Sequence, residues 1–271
     1  MFDFIKNPVS QIDTWIIGNW KMNGSLLFNE DYLEELLAKI EVMKFDPSSF
    51  CGLAIPNVYL FQFSNRLLDR NIHLGAQEIS SEDEDGPFTG DISAKMINEF
   101  DCSFVVIGHS ERRNKYKESE IDLVNKAKVS LKNNIIPIIC VGESVKDRDQ
   151  GNANIVVRTQ VKQFTMGLKS EDLSNCVFAY EPLWAIGTGK SAEPEDAETM
   201  HRIIRSEFSE VLGVDPAEKI KILYGGSVKS SNVEQYFLQP GVDGALVGGA
   251  SLNASEFCKI IDKSIRTTQN K

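Results

Sequence analysis

The sequence predicts a single-domain α/β protein with the architecture of a closed (β/α)8 barrel. Short apolar, β-rich segments alternate with longer segments of helical periodicity, and the alternation recurs eight times along the chain. Most of the apolar segments are continuous, which is typical of parallel strands covered by helices on both faces. The main alternative is an open doubly wound sheet, which often carries a GxGxxG fingerprint after its first strand. Here GNWKMNG, at 18–24, follows the first strand instead.

Eight apolar segments are predicted as strands. They span residues 14–18, 52–55, 72–76, 104–107, 135–141, 177–180, 220–224 and 244–247. Apolar periodicity predicts helices over 29–43, 197–212 and 254–265, and the second of these follows a Glu-Pro-Glu start signal at 193–195. No linker-like tract divides the chain. We therefore predict a barrel domain over residues 14–271, preceded by an N-terminal extension over residues 1–13.

Composition and charge restrict the classes of function. Hydrophobic residues make up 42% of the chain and charged residues 25%, as in globular proteins. The formal net charge of −10 weighs against nucleic-acid and membrane partners, which require clustered Lys and Arg. The five cysteines are scattered, without CxxC or Cys/His clusters, which indicates a reducing compartment and no metal site. The N-terminus lacks the features of signal and transit peptides, so we expect a cytoplasmic protein.

Polar residues follow several predicted strands, and in a parallel barrel the carboxyl ends of the strands meet on one face. Asn19 and Lys21 follow the first strand, His109 the fourth and Glu181 the sixth. Each alone has a structural alternative, such as a solvated lysine or a glutamate paired with an arginine. Together they offer a carboxylate, an imidazole and an ammonium group, with no nucleophile triad and no metal-ligand spacing. This set favours proton transfer next to a carbonyl group, with Glu181 as the base.

Two glycine pairs follow the seventh and eighth strands, Gly225-Gly226 and Gly248-Gly249. Glycine lets the backbone approach a ligand closely, and loops at this position of a barrel often bind phosphate. Either pair alone is equally consistent with a tight turn. The two pairs in combination favour a phosphorylated substrate.

Two loops have the properties of functional segments. Residues 182–192, directly after Glu181, have small residues at the centre and bulkier ones at the ends, which suits a lid that closes over the site and excludes water. Residues 77–92 form a long acidic connection without predicted secondary structure, and such loops are either functional or simply solvated.

Eight motifs resemble the triosephosphate isomerase family in order and spacing, over nearly the whole chain. They are GNWKMNG at 18–24, GAQ at 75–77, FTGD at 88–91, IGHSERR at 107–113, CVGE at 140–143, AYEPLWAIGTGKSA at 179–192, YGGSV at 224–228 and LVGGASL at 246–252. The resemblance implies a TIM barrel that interconverts dihydroxyacetone phosphate and D-glyceraldehyde 3-phosphate through an enediolate, in glycolysis and gluconeogenesis. It also implies that neither a cofactor nor a metal is required.

The resemblance further implies the roles of individual residues. Glu181 matches the base, and His109 matches an electrophile kept neutral by the helix that starts near Ser110. Lys21 matches the substrate-binding cation, with Glu111 as the carboxylate that positions it. The remaining matches are to groups that bind substrate oxygens and phosphate: Asn19, and the backbone N–H groups of Gly187, Ser227, Gly248 and Gly249.

The resemblance implies a homodimer in which loop 77–92 reaches into the neighbouring subunit, with Thr89 at the matching position. The loop also departs from the family pattern, because Glu78, Pro87 and Asp91 replace the residues that many relatives have there. We expect this departure to affect the interface more than the activity.

Two other functions stay open. An aldolase-like barrel would need a buried Schiff-base lysine on a central strand, and we predict none there. A non-catalytic binding or surface protein on the same fold would have no use for Lys21, His109 and Glu181 together with a complete lid.

Overall fold

A computed structural model describes residues 8–185 and 192–271. Eight parallel strands form one closed barrel in sequence order, and the last strand pairs with the first. The strands are β1 (Thr14–Asn19), β2 (Ser49–Ile55), β3 (His73–Ala76), β4 (Cys102–Ile107), β5 (Ile136–Val141), β6 (Val177–Tyr180), β7 (Lys221–Tyr224) and β8 (Gly244–Val247). The predicted fold class is confirmed.

Helices connect the strands and cover the outside of the barrel. In the described ranges they are α1 (Leu26–Glu41), α2 (Leu60–Leu67), α3 (Ala94–Asn98), α4 (Ser110–Tyr116), α5 (Glu120–Lys132), α6 (Val145–Asp149), α7 (Ala153–Gly167), α8 (Ser170–Leu173), α9 (Pro194–Leu212), α10 (Val214–Glu218), α11 (Val233–Phe237) and α12 (Ala254–Gln269). Short 3-10 turns occupy Val9–Gln11, Asn57–Tyr59 and Gly249–Leu252. The longer helices, such as α1, α9 and α12, bury an apolar face, and the strand ends form the site.

Some predicted boundaries are wrong by two or three residues. Helix α1 begins at Leu26 because Ser25 caps it, with the Ser25 hydroxyl accepting from Phe28 N. Strand β2 begins at Ser49, which pairs with Thr14 of β1 although neither residue is apolar. Boundaries of this kind follow capping and strand pairing rather than the apolar pattern.

The inside of the barrel is filled by side chains. Phe50 stacks on Trp15 with ring centroids 4.4 Å apart, and it contacts Phe104 edge-on. A Cβ atom on Gly75 would lie 2.4 Å from the Phe104 ring, so only glycine leaves room for this aromatic layer. Val9 and Ile12 are also buried in this inner cluster. The later part of the predicted extension, residues 8–13, therefore packs against the barrel.

Loop 77–92 contains no helix or strand, and its two ends are tied together. Ser80 N donates to Ile92 O at 2.8 Å, and the Ser80 hydroxyl donates to Asp91 Oδ2 at 2.6 Å. Residues 82–91 are mostly exposed, and Thr89 is among the exposed residues. The loop therefore projects from a closed base.

No helix in the described ranges is long and apolar enough to cross a membrane. Within residues 8–185 and 192–271, no group of three or more His, Cys, Asp or Glu side chains is arranged to hold a metal ion.

Candidate active site

A cavity of about 520 Å³ opens at the carboxyl ends of the strands. Its walls bring together residues that lie far apart in sequence. The predicted site residues that line it are Asn19, Lys21, His109, Glu181, Ser227, Gly248 and Gly249. Gly187 and most of the predicted lid, residues 186–191, lie outside the described residues.

Lys21 is held by contacts to both its backbone and its side chain. Its φ of +54° lies in the left-handed region, which is uncommon for a residue other than glycine. Asn19 Oδ1 accepts from Lys21 N at 3.0 Å, and Gln77 Nε2 donates to Lys21 O at 3.0 Å. The ammonium group lies 2.6 Å from Glu111 Oε1. The motif around Gln77 predicts no role for this residue, because its contact with Lys21 depends on how the loops after β1 and β3 meet.

His109 caps the N-terminus of α4. Its Nδ1 accepts a hydrogen bond from Glu111 N at 3.3 Å, so in the neutral ring the proton is on Nε2. Nε2 lies 2.9 Å from Glu181 Oε1. Burial acts to lower the pKa of His109, but the Glu181 carboxylate outweighs this effect and raises it.

Glu181 follows the last residue of β6 and is 2% exposed. Its second carboxylate oxygen accepts from Ser110 N at 3.0 Å, at the N-terminus of α4. Burial alone would raise the pKa of this carboxyl group, but His109 and the Ser110 N–H together lower it. Glu181 is therefore an ionised carboxylate at neutral pH although it is buried.

The opposite wall of the cavity is formed by the loops after β7 and β8. Gly248 and Gly249 lead into the 3-10 turn Gly249–Leu252, and a Cβ atom on Gly249 would meet nothing within 4 Å. Gly226 is more restricted, since a Cβ atom there would lie 2.2 Å from the Tyr224 hydroxyl. The backbone at Gly249 thus faces open space, as a site for an anionic group requires.

The segments on either side of residues 186–191 are anchored. Before them, Trp184 Nε1 donates to Glu143 Oε1 at 2.9 Å, and the Tyr180 hydroxyl donates to the same oxygen at 3.0 Å. After them, Ala192 N donates to the Tyr224 hydroxyl at 3.2 Å.

One prediction about the strands is wrong. Lys221 is a buried lysine on a strand, with 7% of its surface exposed. It is the first residue of β7, however, and therefore lies at the amino end of the barrel, opposite the cavity. A Schiff base at this position would be remote from Glu181 and the glycine loops, so an aldolase mechanism gains no support.

Comparison with known proteins agrees with this geometry. The family profile described as "Triosephosphate isomerase" matches residues 14–264. The triosephosphate isomerase of Hahella chejuensis is 44% identical over 259 residues, which cover 92% of this chain and 98% of that protein. The triosephosphate isomerase of Mycoplasma capricolum is 41% identical over 247 residues, covering 91% of this chain and 97% of that protein. The chain therefore belongs to the triosephosphate isomerase family.

Proposed function

We propose that this protein interconverts dihydroxyacetone phosphate and D-glyceraldehyde 3-phosphate. One observation carries the proposal: Glu181 Oε1 and His109 Nε2 lie 2.9 Å apart in a cavity that Lys21 and two glycine loops also line. A buried carboxylate can act as the base for a carbon acid, and donors beside it can stabilise the charge that develops on oxygen.

Proton transfer would proceed in balanced steps. The Glu181 carboxylate removes a proton from the carbon next to the carbonyl group, and the electrons move to the carbonyl oxygen to give an enediolate. The hydroxyl proton on the other oxygen then moves to the former carbonyl oxygen, for which His109 Nε2 would serve as the relay. The same carboxyl group of Glu181 returns its proton to the neighbouring carbon, which leaves the new carbonyl group in place. His109 Nε2–H and the Lys21 ammonium group stabilise the enediolate oxygens, and Asn19 donates to the substrate.

A neutral His109 is the form that suits this role. Nδ1 accepts from the backbone N–H of Glu111, and a proton on Nδ1 would break that hydrogen bond. The N-terminus of α4 also disfavours a positive charge next to it. Glu181 raises the pKa of His109 while the two side chains are in contact, so a substrate that separates them would favour the neutral ring.

The substrate phosphate would bind to the backbone N–H groups of Ser227, Gly248 and Gly249, with Gly187 contributed by the lid. This assignment is supported by the open space beside Gly249 and by the short distance between a Cβ atom on Gly248 and Lys21 Cε, 3.9 Å. The two glycines and Lys21 thus lie along one wall, where a dianion would gain both backbone donors and a cation.

The protein is expected to act as a homodimer through loop 77–92, with Thr89 in the partner subunit's site. Several large apolar side chains near this loop and the loops after β1 and β2 are exposed in the single chain, which supports a covered surface there. Met22 is 95% exposed, Phe61 68% and Phe88 39%.

We place the enzyme in the cytoplasm, without nucleic-acid or membrane partners, because its cysteines are free and its net charge is −10. Residues 14–271 would form the catalytic domain and residues 1–13 the extension.

Turnover of D-glyceraldehyde 3-phosphate in a coupled assay tests the proposed activity. We expect turnover by the purified protein without added metal or cofactor, and competitive inhibition by a phosphoglycolate-type analogue of the enediolate. A well-folded preparation that binds the analogue but shows no turnover would favour a non-catalytic role instead.

A further inference from the structure

One side chain, Glu256, connects the loop after β7 to the start of helix α12. Glu256 is the third residue of α12, and its carboxylate accepts two hydrogen bonds from Ser230. Ser230 N donates to Oε1 at 2.8 Å, and the Ser230 hydroxyl donates to Oε2 at 3.0 Å. We call this pair of hydrogen bonds the Ser230–Glu256 contact. It joins the two loops that carry the proposed phosphate donors.

The end of helix α12 does not account for this contact. Asn253 caps the helix, and its side-chain oxygen accepts from Glu256 N at 2.8 Å. A glutamate three residues after an N-cap often reaches back to the N-cap backbone N–H and completes a capping box. Here Asn253 N donates to Ala250 O instead, and the Glu256 carboxylate binds Ser230. The side chain of Glu256 therefore serves the loop after β7 rather than the helix end.

The loop after β7 has its own internal hydrogen bonds. Asn232 Nδ2 donates to Ser227 O at 3.0 Å, and Asn232 Oδ1 accepts from Lys229 N at 2.8 Å. These two bonds fix the shape of the loop around Ser227, but they do not reach the segment after β8. The Ser230–Glu256 contact supplies that connection, because α12 continues directly from the segment after β8.

The segment after β8 is fixed in a similar way. Ser251 N and the Ser251 hydroxyl donate to Gly248 O at 2.9 and 2.7 Å. Ser227, Gly248, Gly249 and Glu256 all line the same cavity. The Ser230–Glu256 contact therefore sets the spacing between N–H groups on two loops that would have to bind one phosphate group.

We propose that Glu256 is a positioning residue for the substrate phosphate, because it holds the loop after β7 at a fixed spacing from Gly248 and Gly249. This inference deepens the proposed function and rests on it. A carboxylate that lines an anion site opposes binding by charge repulsion. The two hydrogen bonds that Glu256 accepts offset this effect, since donors that are already in place lose less entropy when the phosphate binds.

Two substitutions separate positioning from charge. Glu256→Gln and Glu256→Ala both remove the negative charge. The glutamine oxygen can still accept from Ser230 N, and its amide can donate to the Ser230 hydroxyl, which accepts as well as donates. Alanine offers neither hydrogen bond. If only the charge mattered, both variants would bind phosphate compounds more tightly, whereas positioning predicts a loss of affinity for the alanine variant alone.

Calorimetric titration of the full-length protein with phosphoglycolate measures the effect without turnover. We expect Glu256→Ala to raise Kd about tenfold, as for the loss of one hydrogen bond to a charged group. Glu256→Gln should bind at least as tightly as wild type. Asp262→Asn removes a partly exposed carboxylate further along α12 and is the matched control, which should keep the wild-type Kd. An unchanged Kd for Glu256→Ala, or tighter binding by both Glu256 variants, would overturn the proposal.

Amide hydrogen exchange, followed by mass spectrometry, tests the contact itself. Peptides that cover residues 225–232 should exchange faster in Glu256→Ala than in wild type, and Glu256→Gln should restore slow exchange. Peptides from the second half of α12 should exchange at the wild-type rate in all variants. Equally faster exchange in the loop and throughout α12 would indicate a general loss of stability and would contradict the positioning role.

Steady-state kinetics connect the contact to turnover. Glu256→Ala should raise KM for D-glyceraldehyde 3-phosphate more than it lowers kcat, because the groups that transfer protons are unchanged. Ser230→Ala keeps the backbone donor and should raise KM less, and in the Glu256→Ala background it should add little. Fully additive effects would contradict a direct contact. A wild-type protein that binds phosphoglycolate without turnover would refute the proposed function, while titration and exchange would still report on Glu256.

Discussion

Glu181→Gln is the substitution that isolates the proposed base. Glutamine has almost the same shape, and its side-chain oxygen can keep the hydrogen bond that Ser110 N donates at 3.0 Å. It cannot accept a proton from carbon, and it removes the charge that faces His109 Nε2 at 2.9 Å. Lys21 and the glycine loops are untouched, so binding of the phosphate should survive.

The expected effect follows from the size of general-base catalysis. Losing such a base lowers kcat by about 10²–10⁴-fold, which is about 3–5 kcal/mol of the barrier. Replacing a charge-assisted hydrogen bond by a neutral one should cost the fold about 1 kcal/mol, or about 2–4 °C in Tm. The variant should therefore be folded and inactive, with KM changed little.

The coupled assay with D-glyceraldehyde 3-phosphate measures this effect, and thermal unfolding confirms that the variant is folded. Glu195→Gln is a matched control, because it removes an exposed carboxylate from the first turn of α9. The control should retain wild-type turnover. Turnover of Glu181→Gln within about tenfold of wild type would refute the assignment of the base.

Three further predictions concern the glycine loop after β7, the subunit interface and the stability of the fold at acid pH. Gly226→Ala would place a Cβ atom 2.2 Å from the Tyr224 hydroxyl, so we expect a lower Tm and a higher KM, and unchanged values of both would exclude the close approach. Thr89→Arg should weaken subunit association, and a sedimentation profile identical to wild type would argue against an interface there. Burial favours protonated Glu181, but His109 outweighs it and lowers the pKa, so ionised Glu181 stabilises the fold above its ordinary pKa of 4.5. The stability difference between wild type and Glu181→Gln should therefore shrink as the pH falls below that value, as unfolding in urea would measure.

Much of the fold could be predicted because its signals are local. Most strands are largely apolar segments, and each glycine pair lies directly after a strand. The boundaries that were wrong depend on contacts with other segments, such as the Ser25 cap of α1 and the pairing of Ser49 with Thr14. The significance of Lys221 was also missed, since its position at the amino end of β7 matters more than its presence on a strand.

The sequence alone determined the barrel fold and the family. It also determined the three residues proposed for catalysis, Lys21, His109 and Glu181. Each of these is encoded in short motifs, and the order of the motifs along the chain is the order of the strands around the barrel. Only the tertiary structure decided how those groups are held. Gln77 reaches Lys21 O across two loops, and Lys126 on α5 reaches Glu78 in loop 77–92. Hydrogen bonds and protonation states depend on distances of about 3 Å between atoms far apart in sequence, and no periodicity in the chain records them.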